Sequence, residues 1–163
     1  MTTLTMRLAT VHDRAAIARL LSDAGNFSEE ECAVGLEIAD VFLGDGPTAG
    51  VHGDYPTIVA AREGAVVGYA TFGHTPMTEG TWHLYFIATD VTIRRAGIGR
   101  ALCEAMREIA ENQGGKRLVL ETSGRELYGG TRAFYDGIGF QEEGRIADYY
   151  APGDPVVYYV WRW

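Results

Sequence analysis

Long apolar runs are absent from this chain of 163 residues. No run approaches the ~20 residues that a helix needs to span a bilayer, and the amino-terminal segment lacks the apolar stretch of a secretory signal. We therefore expect a cytoplasmic protein without a membrane partner. The length also predicts one domain, over residues 1–163, that is large enough to bury a core.

Cysteine is scarce as well. Cys32 and Cys103 lie 71 positions apart and form no CxxC motif, so we expect two buried free thiols rather than a disulfide. The four histidines are scattered along the chain, and with two distant cysteines they do not have the spacing of metal ligands. The sequence therefore predicts no metal cofactor.

Basic residues are missing from the segment between Leu20 and Ala61, which contains eight acidic residues. This segment accounts for the whole net charge of −8, because the rest of the chain has equal numbers of acidic and basic residues. An acidic amino-terminal third argues against a nucleic-acid partner, which would need a basic surface. It is compatible with a cationic substrate, although a helix face exposed to water would have the same composition.

Hydrophobic periodicity predicts an α+β fold that begins with a short strand at Met6–Leu8. Two helices follow, with capping boxes at Thr10 and Ser28, and a glycine-rich loop runs from Gly44 to Gly50. Helical spacing returns from residue 98 to the glycines at 114 and 115, and again at residues 131–136. Strands are indicated by β-branched and aromatic runs at residues 57–61, 66–73, 82–89, 117–120, 140–150 and 156–163. This order predicts a mostly antiparallel sheet with one strand–helix–strand crossover at its centre.

The segment RRAGIGRAL, Arg94–Leu102, lies between the strongest strand and a helix. Its two glycines are each roughly 1 kcal/mol less favourable than alanine inside a helix, so some gain must offset that cost. A helix start offers unpaired N–H groups and a positive dipole end, and glycine lets a ligand come close to them. Arginines add positive charge, and there is no acid between Val91 and Cys103. The segment therefore predicts a phosphate-binding loop.

Two common phosphate-binding motifs do not fit this loop. A Walker loop needs Gly-Lys-Ser/Thr, which is missing. A dinucleotide fingerprint needs G-x-G-x-x-G, and Leu102 occupies the third glycine position. What remains is the pattern R-x-x-G-x-G, formed by Arg94, Gly97 and Gly99.

A second motif, FYDGIGF, lies further along the chain at Phe134–Phe140. Together, the two motifs, the spacing between them and the order of elements make the chain resemble the GCN5-related N-acetyltransferase (GNAT) superfamily. The segment TSGRELYGGTRAFYDGIGF resembles a bacterial subgroup of it. The resemblance implies an acyltransferase fold with a sheet splayed into a V and flanked by helices. It also implies acetyl-CoA as cosubstrate, an amine acceptor and a homodimer.

The resemblance implies a set of residues that bind acetyl-CoA. The Ile87 amide would polarise the thioester carbonyl, and the Thr89 backbone would pair with the pantetheine arm. Ala88, Thr131, Arg132 and Phe134 would also contact the cofactor. The pyrophosphate would be held by the loop amides of Arg94, Arg95, Ala96, Gly97, Ile98, Gly99 and Arg100. The chain departs from the family pattern at Val91, which replaces a common proline, and at Tyr128, which replaces a common asparagine that contacts CoA.

Three side chains are candidates for moving protons. Tyr135 matches the family tyrosine that protonates the leaving thiolate, although it could simply pack in the core. His83, four residues before Ile87, could accept the proton of the amine, or it could be a structural histidine. Glu121 is a second candidate base, and a chain of waters is a third possibility. Strand parity predicts that His83, Tyr85, Ile87 and Thr89 share one face unless a bulge intervenes.

The remaining candidates concern the acceptor. His74, Tyr149 and Tyr150 could line its site, whereas Trp161 and Trp163 are expected in the core or in a dimer contact. The sequence thus favours an N-acetyltransferase that transfers the acetyl group directly to a primary amine, of a small molecule or of a protein. A CoA-binding regulatory module that has lost catalysis is the alternative, and a Rossmann domain is disfavoured by Leu102 and by the antiparallel strands.

Overall fold

The structure is a computed structural model that describes residues 3–44, 55–93 and 95–163. Most of the predicted loop from Gly44 to Gly50 and the arginine at position 94 lie outside the described residues. The strands are β1 (Leu4–Leu8), β2 (Thr57–Arg62), β3 (Ala65–His74), β4 (Thr81–Thr89), β5 (Arg117–Ser123), β6 (Gln141–Ala151) and β7 (Asp154–Arg162). The helices are α1 (Arg14–Asp23), α2 (Glu29–Leu43), α3 (Ile98–Glu111) and α4 (Gly129–Ile138), and short 3₁₀ turns cover Val11–Asp13 and Glu126–Tyr128.

The strands form one seven-stranded sheet in the order β1-β2-β3-β4-β5-β7-β6. Neighbouring strands are antiparallel except for β4 and β5, which are parallel and are joined by the crossover through α3. The predicted α+β class and the single crossover are therefore confirmed.

Both predicted capping boxes are present. The Thr10 backbone N–H donates to Asp13 at 2.8 Å, and the Ser28 and Glu31 side chains each accept from the other's backbone N–H. Asp13 also accepts two hydrogen bonds from the Arg7 guanidinium, at 2.7 and 2.8 Å. These bonds lower the pKa of the buried Asp13 carboxyl to about 2, so it stays ionised and fixes the turn between β1 and α1.

The sheet has a separate core on each face. On one face, α3 and α4 pack over both halves of the sheet through residues such as Leu102, Met106 and Leu118. On the other face, α1 and α2 pack over β2, β3 and β4, and Ile17 and Phe42 lie in this second core. The second core does not include buried residues of β5 or β7 among the described residues. The two halves of the sheet, β1–β4 and β5–β7, are thus covered differently by helices on this second face.

A β-bulge in β4 reverses the side-chain pattern of that strand. Thr71 pairs with Phe86 and Phe72 pairs with Leu84, which leaves Tyr85 as the extra residue. Before the bulge, Leu84 faces α3. After it, Ile87 takes that face, while Phe86 packs with α1 and α2. The shared face predicted for His83 and Tyr85 is confirmed by their stacked rings, whereas Ile87 and, by alternation, Thr89 lie on the opposite face because of the bulge.

Several smaller predictions can also be compared with the structure. Cys103 is buried and Cys32 is only partly buried, and both are free thiols. Trp161 lies in the core, and the indole of Trp163 donates to the Gly115 carbonyl at 3.0 Å. Among the described residues, no group of three or more metal-ligating side chains occurs. None of the helices in the described ranges is both long and apolar enough to cross a membrane.

Candidate active site

The two central strands separate after a short stretch of pairing. β4 and β5 pair only from Thr81 to His83 on one strand and from Arg117 to Val119 on the other. Beyond this point β4 continues to Thr89 and β5 to Ser123 without pairing to each other. We call this opening the split; it corresponds to the V that the family resemblance implied.

The backbone of β4 presents polar groups to the split. Asp90 N–H donates to the Val67 carbonyl at 2.8 Å, and the register pairs Ala88 with Tyr69. Because hydrogen bonds in an antiparallel pair recur at every second residue, the N–H and C=O groups of Ala88 face β3. Those of Ile87 and Thr89 therefore face the split. This is the orientation that the proposed roles of Ile87 and Thr89 require, while the Ala88 backbone is already used within the sheet.

The glycine loop leads into α3 at the same edge. Gly97 is the N-cap residue of α3 and has a φ of 72°, in the left-handed region that glycine adopts without strain. A Cβ on Gly97 would meet nothing within 4 Å, whereas a Cβ on Gly99 would lie 2.7 Å from the Phe134 ring. Gly97 thus sets the turn and keeps the approach to the helix start open. Gly99 lets α3 and α4 touch, so Phe134 acts here by packing.

Two arginine side chains of this region donate to protein carbonyls. Arg100 donates to the Gly137 carbonyl, and Arg132 donates to the carbonyls of Ser123 and Arg125, both at 2.8 Å. Arg95 is exposed and has a φ of 56°. Arg100 and Arg132 therefore tie α4 to α3 and to the end of β5, and any phosphate contact from residues 97–100 would come mainly from backbone N–H groups at the positive end of α3. Thr131 is half-buried in the first turn of α4.

The loop between β4 and α3 is anchored from α1. Arg19 makes an ion pair with Asp90 at 3.2 Å and donates to the Val66 carbonyl at 3.1 Å. Asp90 in turn accepts from the N–H and the hydroxyl of Thr92, at 2.9 and 2.6 Å. These contacts hold the start of the glycine loop against the sheet. Sequence reasoning missed this pair because its partners are 71 positions apart.

Tyr128 joins the two sides of the split. Its hydroxyl donates to the Asn26 carbonyl at 2.8 Å, and the Arg125 guanidinium lies 5.8 Å from the centre of its ring. Asn26 belongs to the α1–α2 loop, whereas Tyr128 belongs to the turn that follows β5. The family position that commonly holds a CoA-binding asparagine thus holds a tyrosine whose hydroxyl fastens the α1–α2 loop.

Tyr135 lies in the core between α4 and the sheet. It is 6% exposed, and its ring centre is 5.4 Å from that of Phe140 and 6.1 Å from that of Tyr159. Burial, with a smaller effect of the nearby Cys103, raises the pKa of its hydroxyl. Tyr135 is therefore fully protonated at neutral pH, as a proton donor must be, and its aromatic neighbours fix the direction of the ring.

His83 and Glu121 lie on the face opposite to Tyr135. His83 is the last residue of β4 that pairs with β5, and its ring stacks on Tyr85 at 4.6 Å. Glu121 is two residues beyond Val119, the register partner of His83, so both side chains point to the same face. Burial lowers the pKa of His83 and the Glu121 carboxylate partly offsets this effect. His83 is therefore neutral at pH 7 and able to accept a proton.

The structure separates the remaining acceptor candidates. His74 pairs with Trp82 and its ring centre lies 5.9 Å from the indole, on the α3 face. It is therefore not beside His83, and the suggestion that it lines the acceptor site is not supported. Tyr149 and Tyr150 are exposed, with ring centres 5.0 Å apart, and the Glu121 charge acts on Tyr150.

Two further tyrosines complete this region without having been predicted. The Tyr55 ring meets that of Tyr85 edge-on at 5.2 Å. Tyr158 is the register partner of Glu121 on β7, and the Glu121 charge acts on its hydroxyl. The alternation of β7 could have identified Tyr158, but nothing in the local sequence relates Tyr55 to β4.

Comparison with known proteins gives a consistent picture. The model of the acetyltransferase (GNAT) family matches residues 15–140. The fold is similar to the crystal structure of a protein of Desulfovibrio desulfuricans assigned to the GNAT acetyltransferases, with 33% identity, a TM-score of 0.89, and coverage of 98% of this chain and 99% of that one. It also resembles the ribosomal-protein-S18-alanine N-acetyltransferase of Escherichia coli, with 21% identity, a TM-score of 0.73 and coverage of 98% and 94%.

A third similar structure, from Salmonella typhimurium, contains acetyl-CoA; it is 16% identical, with a TM-score of 0.68 and coverage of 98% and 93%. The last two likenesses concern the fold alone. None of the curated proteins compared with this chain is significantly similar to it in sequence.

Proposed function

This chain belongs to the GNAT acetyltransferase family, and we propose that it transfers an acetyl group from acetyl-CoA directly to a primary amine. One observation carries the proposal. The Ile87 and Thr89 backbones face the split next to the open amino-terminal end of α3. The thioester arm of acetyl-CoA needs the strand backbone, its pyrophosphate needs the helix start, and both must lie at the same edge of the sheet.

The described residues fit acetyl-CoA. The N–H and C=O groups of β4 that face the split can pair with the amide groups of the pantetheine arm, as they would with a neighbouring strand. Gly97 leaves room in front of the first turn of α3, where N–H groups and the helix dipole favour an anion. Arg95 and Ala96 form the approach to this turn, and Arg19 and Asp90 hold its base.

Acetyl-CoA supplies an activated acetyl group. The ammonium ion of the acceptor first loses one proton to water, because only the neutral nitrogen can attack. A bond then forms from this nitrogen to the acetyl carbon, the carbon–sulfur bond breaks, and the nitrogen gives up a second proton while the sulfur gains one. The Ile87 N–H donates to the carbonyl oxygen as negative charge develops there. His83 accepts the proton of the amine, since it is neutral at pH 7. The Tyr135 hydroxyl donates a proton to the sulfur and is reprotonated from solvent, to which His83 releases the proton that it accepted.

A cationic acceptor is supported by the charge around the site. Part of the acidic segment serves the helices, because Asp40 binds Arg14 at 2.7 Å and Glu31 caps α2. Glu29 and Glu30 remain exposed at the start of α2. Glu121 is exposed on β5 and its charge acts on His83, so it gives the acceptor side a negative potential that attracts an ammonium ion.

The experiment that tests this function has two steps. Thermal unfolding is followed with acetyl-CoA, CoA or NAD, and we expect CoA and acetyl-CoA to raise the Tm while NAD does not. Release of free thiol from acetyl-CoA is then measured with a panel of amines. Stabilisation by NAD alone would refute the assignment, and CoA binding without thiol release for any amine would support a binding module instead.

The role of Tyr135 can be tested by Tyr135→Phe. Loss of the hydroxyl should lower kcat about 100-fold, in the range that a general acid contributes, while the Kd of CoA stays within about two-fold because the ring is retained. Tyr159→Phe is the matched control, since Tyr159 is a buried tyrosine of the same cluster. An unchanged kcat in Tyr135→Phe, measured at saturating substrates, would exclude the acid role.

A further inference from the structure

Aromatic side chains gather on the sheet face that carries His83, next to the split. We call this group the aromatic wall; it consists of His83, Tyr85, Tyr55, Tyr149, Tyr150 and Tyr158. The Tyr85 ring contacts those of His83 and Tyr55, the Tyr149 ring contacts that of Tyr150, and Tyr149 and Tyr150 are 49% and 47% exposed. Tyrosines in a core would be covered, so these rings form a surface that faces solvent beside the reacting groups.

One carboxylate lies within this wall. Glu121 is exposed, sits opposite Tyr158, and its charge raises the pKa of the Tyr150 and Tyr158 hydroxyls, in addition to the larger effect of burial. Within the described ranges, the Glu121 side chain has neither an ion pair nor a hydrogen bond. The wall thus contains a negative charge that a ligand can neutralise.

The other nearby carboxylate is already paired. Asp154 accepts from the Ser123 hydroxyl at 2.5 Å and makes an ion pair with Arg125 at 3.1 Å. No lysine or arginine is among the described groups whose charge acts on His83, Tyr85, Tyr150 or Tyr158. The site therefore offers one free negative charge, several ring faces and no competing cation.

We propose that the aromatic wall and Glu121 form the acceptor subsite, and that the acceptor is a monoamine with an aromatic or alkyl body that binds as its ammonium ion. This inference rests on the proposed function. Ring faces attract ammonium ions and cover apolar groups, and a single free carboxylate matches a single positive charge.

Other amine classes fit the wall less well. A polyamine would bring further charges for which the wall has no second free carboxylate. A peptide would bring backbone amide groups that need hydrogen-bond partners, and the wall offers these only through its tyrosine hydroxyls and Glu121. His83 lies at the end of the paired part of β4, so an amine bound against the wall is close to both the proton acceptor and the split.

Binding can be measured without chemistry by using benzyltrimethylammonium, which cannot be acetylated. Isothermal titration with the full chain and CoA should detect this ion, with benzyl alcohol as the neutral comparison. We expect Tyr150→Leu to weaken binding about five-fold and Glu121→Gln about ten-fold, while Tyr150→Phe, which keeps the ring, changes it by less than about two-fold. His74→Ala is the control on the opposite face and should leave binding unchanged. Equal affinities for the cation and the alcohol, or no loss in Tyr150→Leu, would overturn the subsite.

Turnover then tests the class of acceptor. Thiol release should be at least about ten-fold more efficient, in kcat/KM, with benzylamine or phenethylamine than with spermidine or an alanine-terminated peptide. A preference for spermidine or the peptide would overturn the monoamine assignment and leave acetyl transfer intact. Binding of benzyltrimethylammonium without turnover of any amine would support the subsite but refute the enzymatic function.

Discussion

At the scale of single residues, the environment of His83 separates two similar candidates for the base. His83 is half-buried against Tyr85, whereas Glu121 stands exposed on the neighbouring strand. Burial disfavours a charged imidazole, so the pKa of His83 falls below its ordinary value of 6.5. Glu121 has the opposite effect on His83, because a negative charge stabilises imidazolium. The Glu121 charge therefore affects the pKa of His83, and one substitution at Glu121 can show which of the two residues is the base.

Glu121→Gln should move the acid limb of the pH profile of kcat/KM to lower pH. Removing the carboxylate leaves burial unopposed, so the pKa of His83 falls further and neutral His83 persists in more acidic solution. The limb of the unmodified protein should itself lie below pH 6.5, and kcat at pH 7.5 should change by only a few-fold. If kcat falls about 100-fold and the limb disappears, Glu121 is the base instead.

At the scale of elements, the contact between α3 and α4 depends on a missing side chain. Gly99→Ala would place a methyl group 2.7 Å from the Phe134 ring, which forces the two helices apart. We expect the free energy of unfolding to fall by about 1–3 kcal/mol, measured by urea denaturation. Gly130→Ala is the matched control in α4, where a Cβ meets nothing within 4 Å; it should be neutral or stabilise by about 0.5–1 kcal/mol.

The combination Gly99→Ala with Phe134→Leu should recover part of the lost stability, because the smaller side chain makes room for the methyl group. Equal unfolding energies for Gly99→Ala and Gly130→Ala would contradict the close contact.

Elements were predictable from the sequence wherever the signal is local. Periodicity and capping residues gave each helix and strand, and the boxes at Thr10 and Ser28 form as expected. The bulge at Tyr85 was not located, because it depends on how β3 pairs with β4. The bond from Tyr128 to Asn26 spans 102 positions. It depends on where the chain crosses the split, which no local pattern encodes.

At the scale of the whole molecule, the two faces of the sheet are covered unequally. The core under α3 and α4 includes residues from both halves of the sheet, so it holds the halves together across the split. The core under α1 and α2 involves only the first half among the described residues. On that face of the second half, Glu121 is exposed and Tyr158 is half-buried. The fold therefore buries Tyr135 on one side of the sheet and exposes Glu121 on the other, as the proposed acceptor subsite requires.

The split also means that the protein has two strand edges inside its sheet. Their backbone groups have the same pairing capacity as the outer edge of any sheet, and acetyl-CoA would occupy them like an eighth strand.

NMR-detected hydrogen exchange should therefore show that CoA slows the exchange of the amides of Ile87 and Thr89, while that of Ala88, which already donates to β3, changes little. Uniform slowing of all three amides, or none, would contradict this arrangement. Without a ligand, these inner edges are free to pair with other chains. The proposed binding of CoA would cover them, so CoA should suppress heat-induced aggregation.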